Sequence, residues 1–230
     1  MGEFHERRNL ALRSRRDAIA AWFEIHPRQL AALPAEAVEA MSDRLSAEGT
    51  LHGQIAELRS TAQRWETLAR TDALTGLANR RAAEERLVQE CERASRYDRH
   101  LTVIIADLDK LKRVNDSRGH RAGDMVLVEL GARLVRVVRA TDMVARWGGD
   151  EFLVVCPETD AAAAQLVADK LVRVGDEPIQ VDHGEMTCSV SIGWATLRGA
   201  DVDPTRLVRA ADSALYRSKD EGRGRATGAP

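Results

Sequence analysis

An α+β fold, sandwich-like in laying helices on a mostly antiparallel central sheet and preceded by an all-α N-terminal segment, is what three features of the sequence predict. Residues before about 70 are rich in Ala, Arg, Glu and Leu with helical periodicity and hold no strand-like run. Beyond them, apolar runs alternate with helical patterns in the order helix, strand, helix, hairpin, helix, strand, helix. Two strand-like segments, MVARW and EFLVVC, flank a double glycine, which is hairpin punctuation and makes those neighbours antiparallel. A chain of 230 residues that is 44% hydrophobic buries one ordinary domain plus an appendage.

Taken in order, residues 6–26 read as an amphipathic helix, Pro27 and Pro34 mark a turn, and a second helix spans about 35–47 and ends at Gly49. From there Leu51, Ile55, Leu58, Ala62, Trp65 and Ala69 recur at alternating spacings of four and three. That is the seam of a two-stranded coiled coil, although an ordinary amphipathic helix has the same spacing. The expected organisation is a helical segment (1–50), a coiled-coil-like helix (51–70), an α+β domain (71–225) and a tail (226–230).

Within the domain, Asn79 is the expected N-cap of a helix reaching about Arg96. The run LTVIIADLD follows, β-branched and nearly all apolar, as a central strand covered on both faces requires. A loop carrying NDSRGHRAGD precedes a helix from about Gly123 to Val138. After the hairpin, Asp160 caps a helix, MTCSVSIGWATL forms a strand, and Asp203 before Pro204 opens a last helix in the favoured cap-then-proline order.

Composition narrows the function. Lys and Arg number 34 against 36 Asp and Glu, a net charge of -2, so no overall field draws the chain to nucleic acid or a membrane surface. The basic N-terminus precedes only the short apolar patch AIAAWF, too brief for a signal core or a span, and the expected location is the cytoplasm. Cys91, Cys156 and Cys188 lie far apart and form neither a disulfide framework nor a zinc pattern.

Acids stand at two strand ends: Asp107 and Asp109 leave the central strand, and Asp150 and Glu151 follow Gly148 and Gly149 at the hairpin turn. If those strands are neighbours, the carboxylates converge at one rim. Hard cations such as Mg²⁺ take that arrangement, one or two carboxylates with the other positions left to water and substrate phosphates. Glycines beside the acids suit a tight turn against which a bulky ligand can press.

The segment GGDEF, Gly148 to Phe152, resembles the signature of the GGDEF diguanylate cyclase family. The resemblance runs from Thr71 to about Arg225, through TDALTGLANRR, DLDKLKRVNDSRGHRAGD and ADSALYRSKDEGRGR. It implies a fold like the polymerase palm and the nucleotide cyclases, and condensation of two GTP into cyclic di-GMP and two pyrophosphates. By family position, Asp107, the Leu108 carbonyl, Asp150 and Glu151 hold two Mg²⁺ or Mn²⁺ per GTP half-site, and Asp150 or Glu151 assists deprotonation of the attacking 3′-hydroxyl. Asn115 and Asp124 match the guanine-reading pair, a carboxylate accepting from guanine N1 and N2 protons that adenine lacks. His120 joins them at the base or ribose. Lys219 and Arg223 match phosphate-binding positions, with the amides near Lys110 and Leu111; those two stand where the family often has an aromatic.

Arg139 and Asp142 match the family's RxxD inhibitory product site, to which Arg146 adds a contact. One domain holds one GTP, so the resemblance implies a homodimer with facing half-sites, assembled on the Leu51 to Ala69 seam and controlled by a protein or ligand signal at the N-terminal helices. Two alternatives stay open: a GTP or cyclic di-GMP receptor without turnover, and a dimerising interaction module.

Overall fold

The computed structural model describes Ala21, residues 34–182 and residues 184–230. Two compact units are present, residues 1–66 and 67–230. Helix α1, Ala35–Arg70, runs without interruption through Gly49, where the sequence reading ends one helix and starts another. One interior glycine costs a helix only about 1 kcal/mol relative to Ala, too little to break it unaided. Ile55 and Leu58 on the expected seam are 39% and 68% exposed. The side chains of Leu51, Ala62 and Trp65, and the helix expected over 6–26 apart from helical Ala21, lie outside the described residues.

The second unit follows the order β1 (Ala78–Asn79), α2 (Arg80–Tyr97), β2 (His100–Leu108), α3 (Leu111–Arg118), α4 (His120–Val137), β3 (Met143–Arg146), β4 (Glu151–Pro157), α5 (Ala161–Arg173), β5 (Ile179–Val181), β6 (Gly184–Met186), β7 (Val190–Arg198), α6 (Pro204–Asp220) and β8 (Ala226–Gly228). Six strands make one sheet in the order β1-β3-β4-β2-β7-β8. The four inner strands are antiparallel, and the short edges β1 and β8 are parallel to their neighbours. Asn79, Asp160 and Asp203 cap α2, α5 and α6 through their side chains, as expected.

Successive β2 side chains face opposite ways. Ile104, Ala106 and Leu108 pack with Val126, Leu130 and Leu134 of α4 and with Ala164 and Leu171 of α5. Val103 and Ile105 pack with Ala83 and Leu87 of α2 and with Leu207, Ala211 and Leu215 of α6. Each large side chain so buried contributes about 1.5–3 kcal/mol. Gly193 of β7 lets α6 come close, since a Cβ there would lie 2.6 Å from Leu215 Cα. All three cysteines are free and buried, and burial pushes the Cys91 thiol to about 12 and the Cys188 thiol to about 11.

Three local readings are corrected. The stretch containing NDSRG is not all loop, because α3 covers Leu111–Arg118, anchored by buried Leu111 and Val114 three residues apart. The strand read over MTCSVSIGWATL begins only at Val190, and Met186 instead ends β6, which pairs with β5 as a small separate hairpin. Residues 226–228 are no tail but the β8 edge strand, where Gly228 sits against the Trp194 ring and Arg217 Nη2 donates to the Gly228 carbonyl over 2.8 Å. Among the described residues no helix is long and apolar enough to cross a membrane.

Candidate functional site

Register brings the first candidates together. Asp107 lies directly opposite Glu151 on β4, and opposed residues of an antiparallel pair share a face. Asp107 alternates with Ala106 and therefore faces α6, where Lys219 Nζ stands 2.8 Å from its Oδ2. The turn between β3 and β4 closes through the Glu151 carbonyl, which accepts from Trp147 N–H at 2.8 Å and Gly148 N–H at 3.2 Å. Leu108 N–H donates to the Asp150 carbonyl over 3.2 Å, tying the turn to the end of β2. Neither Gly148 nor Gly149 adopts a positive φ. A Cβ at 148 would press only on the flexible end of the Glu151 side chain, 3.1 Å from its Oε2, and at 149 it would meet open space.

Burial is the main reason the Asp107 carboxyl is pushed up to about 6; Lys219 pulls it down, and the charges of Asp150 and Glu151 add to the rise. A carboxylate held this way favours any cation that approaches it. Among the described residues no three His, Cys, Asp or Glu side chains form a ready ligand set. The oxygen donors Asp107, Asp150 and Glu151 fit a hard divalent ion that takes one or two carboxylates and completes its shell from phosphates and water, rather than a resident metal in a closed cage.

Asp109 does not join the rim. With β2 ending at Leu108, its side chain turns inward, where it is buried and accepts from Ser189 and Ser191 hydroxyls at 2.8 Å each and from Gly224 N–H at 3.2 Å. Arg223 Nε lies 3.8 Å from it. Asp109 thus pins the loop that carries Arg223 to the sheet. Lys110 holds a left-handed backbone (φ 60) at the start of α3. Leu111 is core, supplying the loop packing that the missing aromatic put in question and leaving only its amide for an anion.

A second group forms where α3 meets α4. Asn115 projects at Gly123, and its buried Oδ1 has no hydrogen-bond partner among the described residues. A Cβ at Gly123 would fall well inside contact distance of that oxygen and 3.1 Å from Asn115 Cγ. Asp124, the next residue, is exposed and lines a cavity of about 510 Å³ with Leu74, Met125 and Val128. His120 opens α4, exposed, and does not line that cavity. Gly123 and Leu74 are functional candidates that sequence reasoning missed. Gly123, a helix glycine within RAGD, carried a signal; Leu74 gains its place only through the fold.

The remaining candidates part company. Arg139 and Asp142 precede β3, at the far end of the hairpin from the Gly148 to Glu151 turn. They form no ion pair: Asp142 Oδ2 accepts from the Arg139 backbone N–H at 2.9 Å, so the exposed guanidinium remains available to an anion. Arg146 does not stand with them. It donates to the Gly149 carbonyl at 2.8 Å and pairs with Asp72 at 3.2 Å, bracing the acid turn against the start of the domain. Burial works to raise the Asp72 carboxyl, but the Thr75 hydrogen bonds and Arg146 outweigh it and hold the group below the usual range. A groove of about 530 Å³ runs beside the rim between α2 and α6, lined by Glu151, Trp147, Leu87 and Val208.

The family profile described as diguanylate cyclase, GGDEF domain, matches residues 69–225. The chain is 42% identical over 156 residues to the bifunctional diguanylate cyclase/cyclic di-GMP phosphodiesterase MucR of Pseudomonas aeruginosa, covering 68% of this chain and 23% of MucR. The crystal structure of the coiled coil and GGDEF domain of DgcB from Caulobacter crescentus, in complex with c-di-GMP, superposes with a TM-score of 0.75 at 28% identity over 83% of this chain and 100% of that one. Diguanylate cyclase SiaD of Pseudomonas aeruginosa, solved with its activator SiaC, gives a TM-score of 0.68 at 28% identity over 99% and 88% of the two chains. The chain spans less than two fifths of the length of the curated relatives it matches.

Proposed function

From the premise that this chain belongs to the GGDEF, diguanylate cyclase, domain family, we propose that it condenses two GTP molecules into cyclic di-GMP and two pyrophosphates in the cytoplasm. The observation that carries the reading is the in-register opposition of Asp107 and Glu151 beside Asp150, with Lys219 at hand. Each half-site holds one GTP. Asn115 and Asp124 take the guanine, Leu74 covers it, and His120 adds a ribose contact. Lys219, Arg223 and the amides at Lys110 and Leu111 hold the triphosphate.

Asp107, the Leu108 carbonyl, Asp150 and Glu151 would hold two Mg²⁺ or Mn²⁺ ions per half-site, which when bound would supply charge neutralisation at the α-phosphate and acidify the attacking hydroxyl. The 3′-oxygen of one GTP attacks the α-phosphorus of the other, its proton passes to Asp150 or Glu151, and the phosphoanhydride bond breaks to release pyrophosphate. Repeating the step with the roles reversed closes the ring. Because the two GTP molecules sit on separate domains, the active species is a homodimer across a two-fold axis.

The exposed Ile55 and Leu58 support a dimer seam along residues 51–70. Residues 1–50 receive the signal, and the activator bound to SiaD supports a protein as its source. Product returns to Arg139 and Asp142, which recognise guanine edges or phosphate and hold the domains apart; Arg146, committed to Asp72 and Gly149, contributes by stiffening the turn. Neither nucleic acid nor a membrane takes part.

The test is incubation of nucleotide-stripped protein with GTP and Mg²⁺, with chromatography for cyclic di-GMP and Glu151→Ala as control. Product from the native chain and none from the variant is expected. Retained GTP binding with no product, even from residues 71–230 at high concentration, refutes turnover and leaves a receptor.

A further inference from the structure

The two basic residues proposed to hold phosphate both rest on acids at the end of β2. Lys219 Nζ is 2.8 Å from Asp107 Oδ2, and Arg223 Nε is 3.8 Å from Asp109 Oδ1. Their acids differ in what remains when the cation leaves. Asp109 keeps Ser189, Ser191 and Gly224 as donors. Among the described residues the Asp107 carboxylate has Lys219 as its one side-chain partner, is 9% exposed, and has Asp150 and Glu151 close by. Stripping a buried carboxylate of its only cation beside two like charges is costly.

A divalent ion needs the same carboxylate at about 2.0–2.5 Å, and an ammonium at hydrogen-bonding distance on Oδ2 stands in its way. Lysine is a compact charge on a flexible stem and can swing between two anions without moving its helix. The movement costs little only if another cation arrives at Asp107 as the lysine departs.

Resting on the proposed reading of the site, we propose that Lys219 is an exchangeable placeholder on Asp107: it crosses to the triphosphate as a divalent ion takes over the carboxylate, so nucleotide and metal bind with positive coupling. Arg223 has no such part, because Asp109 is satisfied without it. The lysine also holds the acid rim together until substrate comes. By linkage, whatever weakens the Lys219–Asp107 contact strengthens metal binding without nucleotide and nucleotide binding without metal.

The experiment uses the full chain, stripped of nucleotide and metal. Mn²⁺ alone is titrated by its electron paramagnetic resonance signal into native protein, Lys219→Met and Arg223→Met, the last a control for loss of one positive charge. Lys219→Met is expected to bind Mn²⁺ about tenfold tighter than native, with Arg223→Met near native. A GTP analogue with a methylene bridge between the α and β phosphorus is then titrated in chelator into Asp107→Asn and Glu151→Gln. Both lose one negative charge, but only the first frees the lysine, and it should bind the analogue several-fold tighter. Equal or weaker Mn²⁺ binding by Lys219→Met, or equal analogue binding by the two acid variants, overturns the proposal. Lys219→Gln repeats the Mn²⁺ arm should the methionine variant melt early. Because Mn²⁺ binding needs no turnover, failure of the placeholder is distinct from failure to make product.

Discussion

Replacing Gly123 by Ala separates stability from recognition. In an ordinary helix interior Gly→Ala is favourable by about 1 kcal/mol. Here the new methyl would collide with Asn115 Oδ1 and lie 3.1 Å from its Cγ and 3.3 Å from Leu111 Cδ1. Asn115 is short, with two rotatable bonds, and must swing away. Among the described residues its Oδ1 has no partner, so the swing breaks no hydrogen bond of that oxygen. Overpacking costs about 1–3 kcal/mol, and the propensity gain offsets part of it. The fold should therefore move by no more than about 2 kcal/mol. Recognition fares worse: two hydrogen bonds to the base at about 0.5–1.5 kcal/mol each put the expected loss of GTP affinity at about 5- to 150-fold. Calorimetric titration of GTP, beside a thermal melt, gives both numbers. Asn115→Ala should lose a similar factor and the double variant little more, since both remove the same contact. Native GTP affinity in Gly123→Ala would refute the assignment of Asn115 to the base.

Other substitutions probe the rest of the fold. The Asp72 carboxyl is held below its ordinary value, so its stabilisation is present above about pH 4 and is lost as pH falls through the lowered value; the stability advantage of native protein over Asp72→Asn, about 1 kcal/mol at neutral pH, should stay level down to about pH 4 and shrink below it in urea melts. Arg139→Ala should leave basal turnover intact and raise the cyclic di-GMP concentration for half-inhibition by about tenfold or more, one charge-assisted contact; full product inhibition in the variant refutes the site. Gly193→Ala forces α6 off the sheet by its backbone and should cost about 1–3 kcal/mol in a thermal melt while lowering turnover through Lys219.

What could be read from the sequence was what neighbouring residues decide. The caps Asn79, Asp160 and Asp203 bond within three residues, and the central strand announces itself by an unbroken β-branched run. The acid rim was legible because adjacent antiparallel strands bring their ends together. Where distant partners decide, the reading failed. Gly49 looks like a stop but sits inside α1; β8 is too short to signal itself and exists because Trp194 and Arg217 receive it. Asp109, two residues from Asp107, was grouped with it by spacing, yet the strand ends between them and the chain turns it toward Ser189 and Ser191. Arg146, assigned to the product site with Arg139 through the family resemblance, stands at the other end of the hairpin, bonded to Gly149 and Asp72.

The central position of β2 has a kinetic consequence. Both its partners are remote along the chain, so Asp107 meets Glu151 and Ser191 only when loops of very different length have closed. Such non-local pairing is slow relative to the β3–β4 hairpin, which can form on its own timescale of microseconds or so. Refolding is therefore expected to form the hairpin with its acids before the β2 carboxylate joins them. If the acid rim holds a divalent ion as proposed, recovery of Mn²⁺ binding after dilution from denaturant should follow the pairing of β2 with β4 rather than the formation of the hairpin.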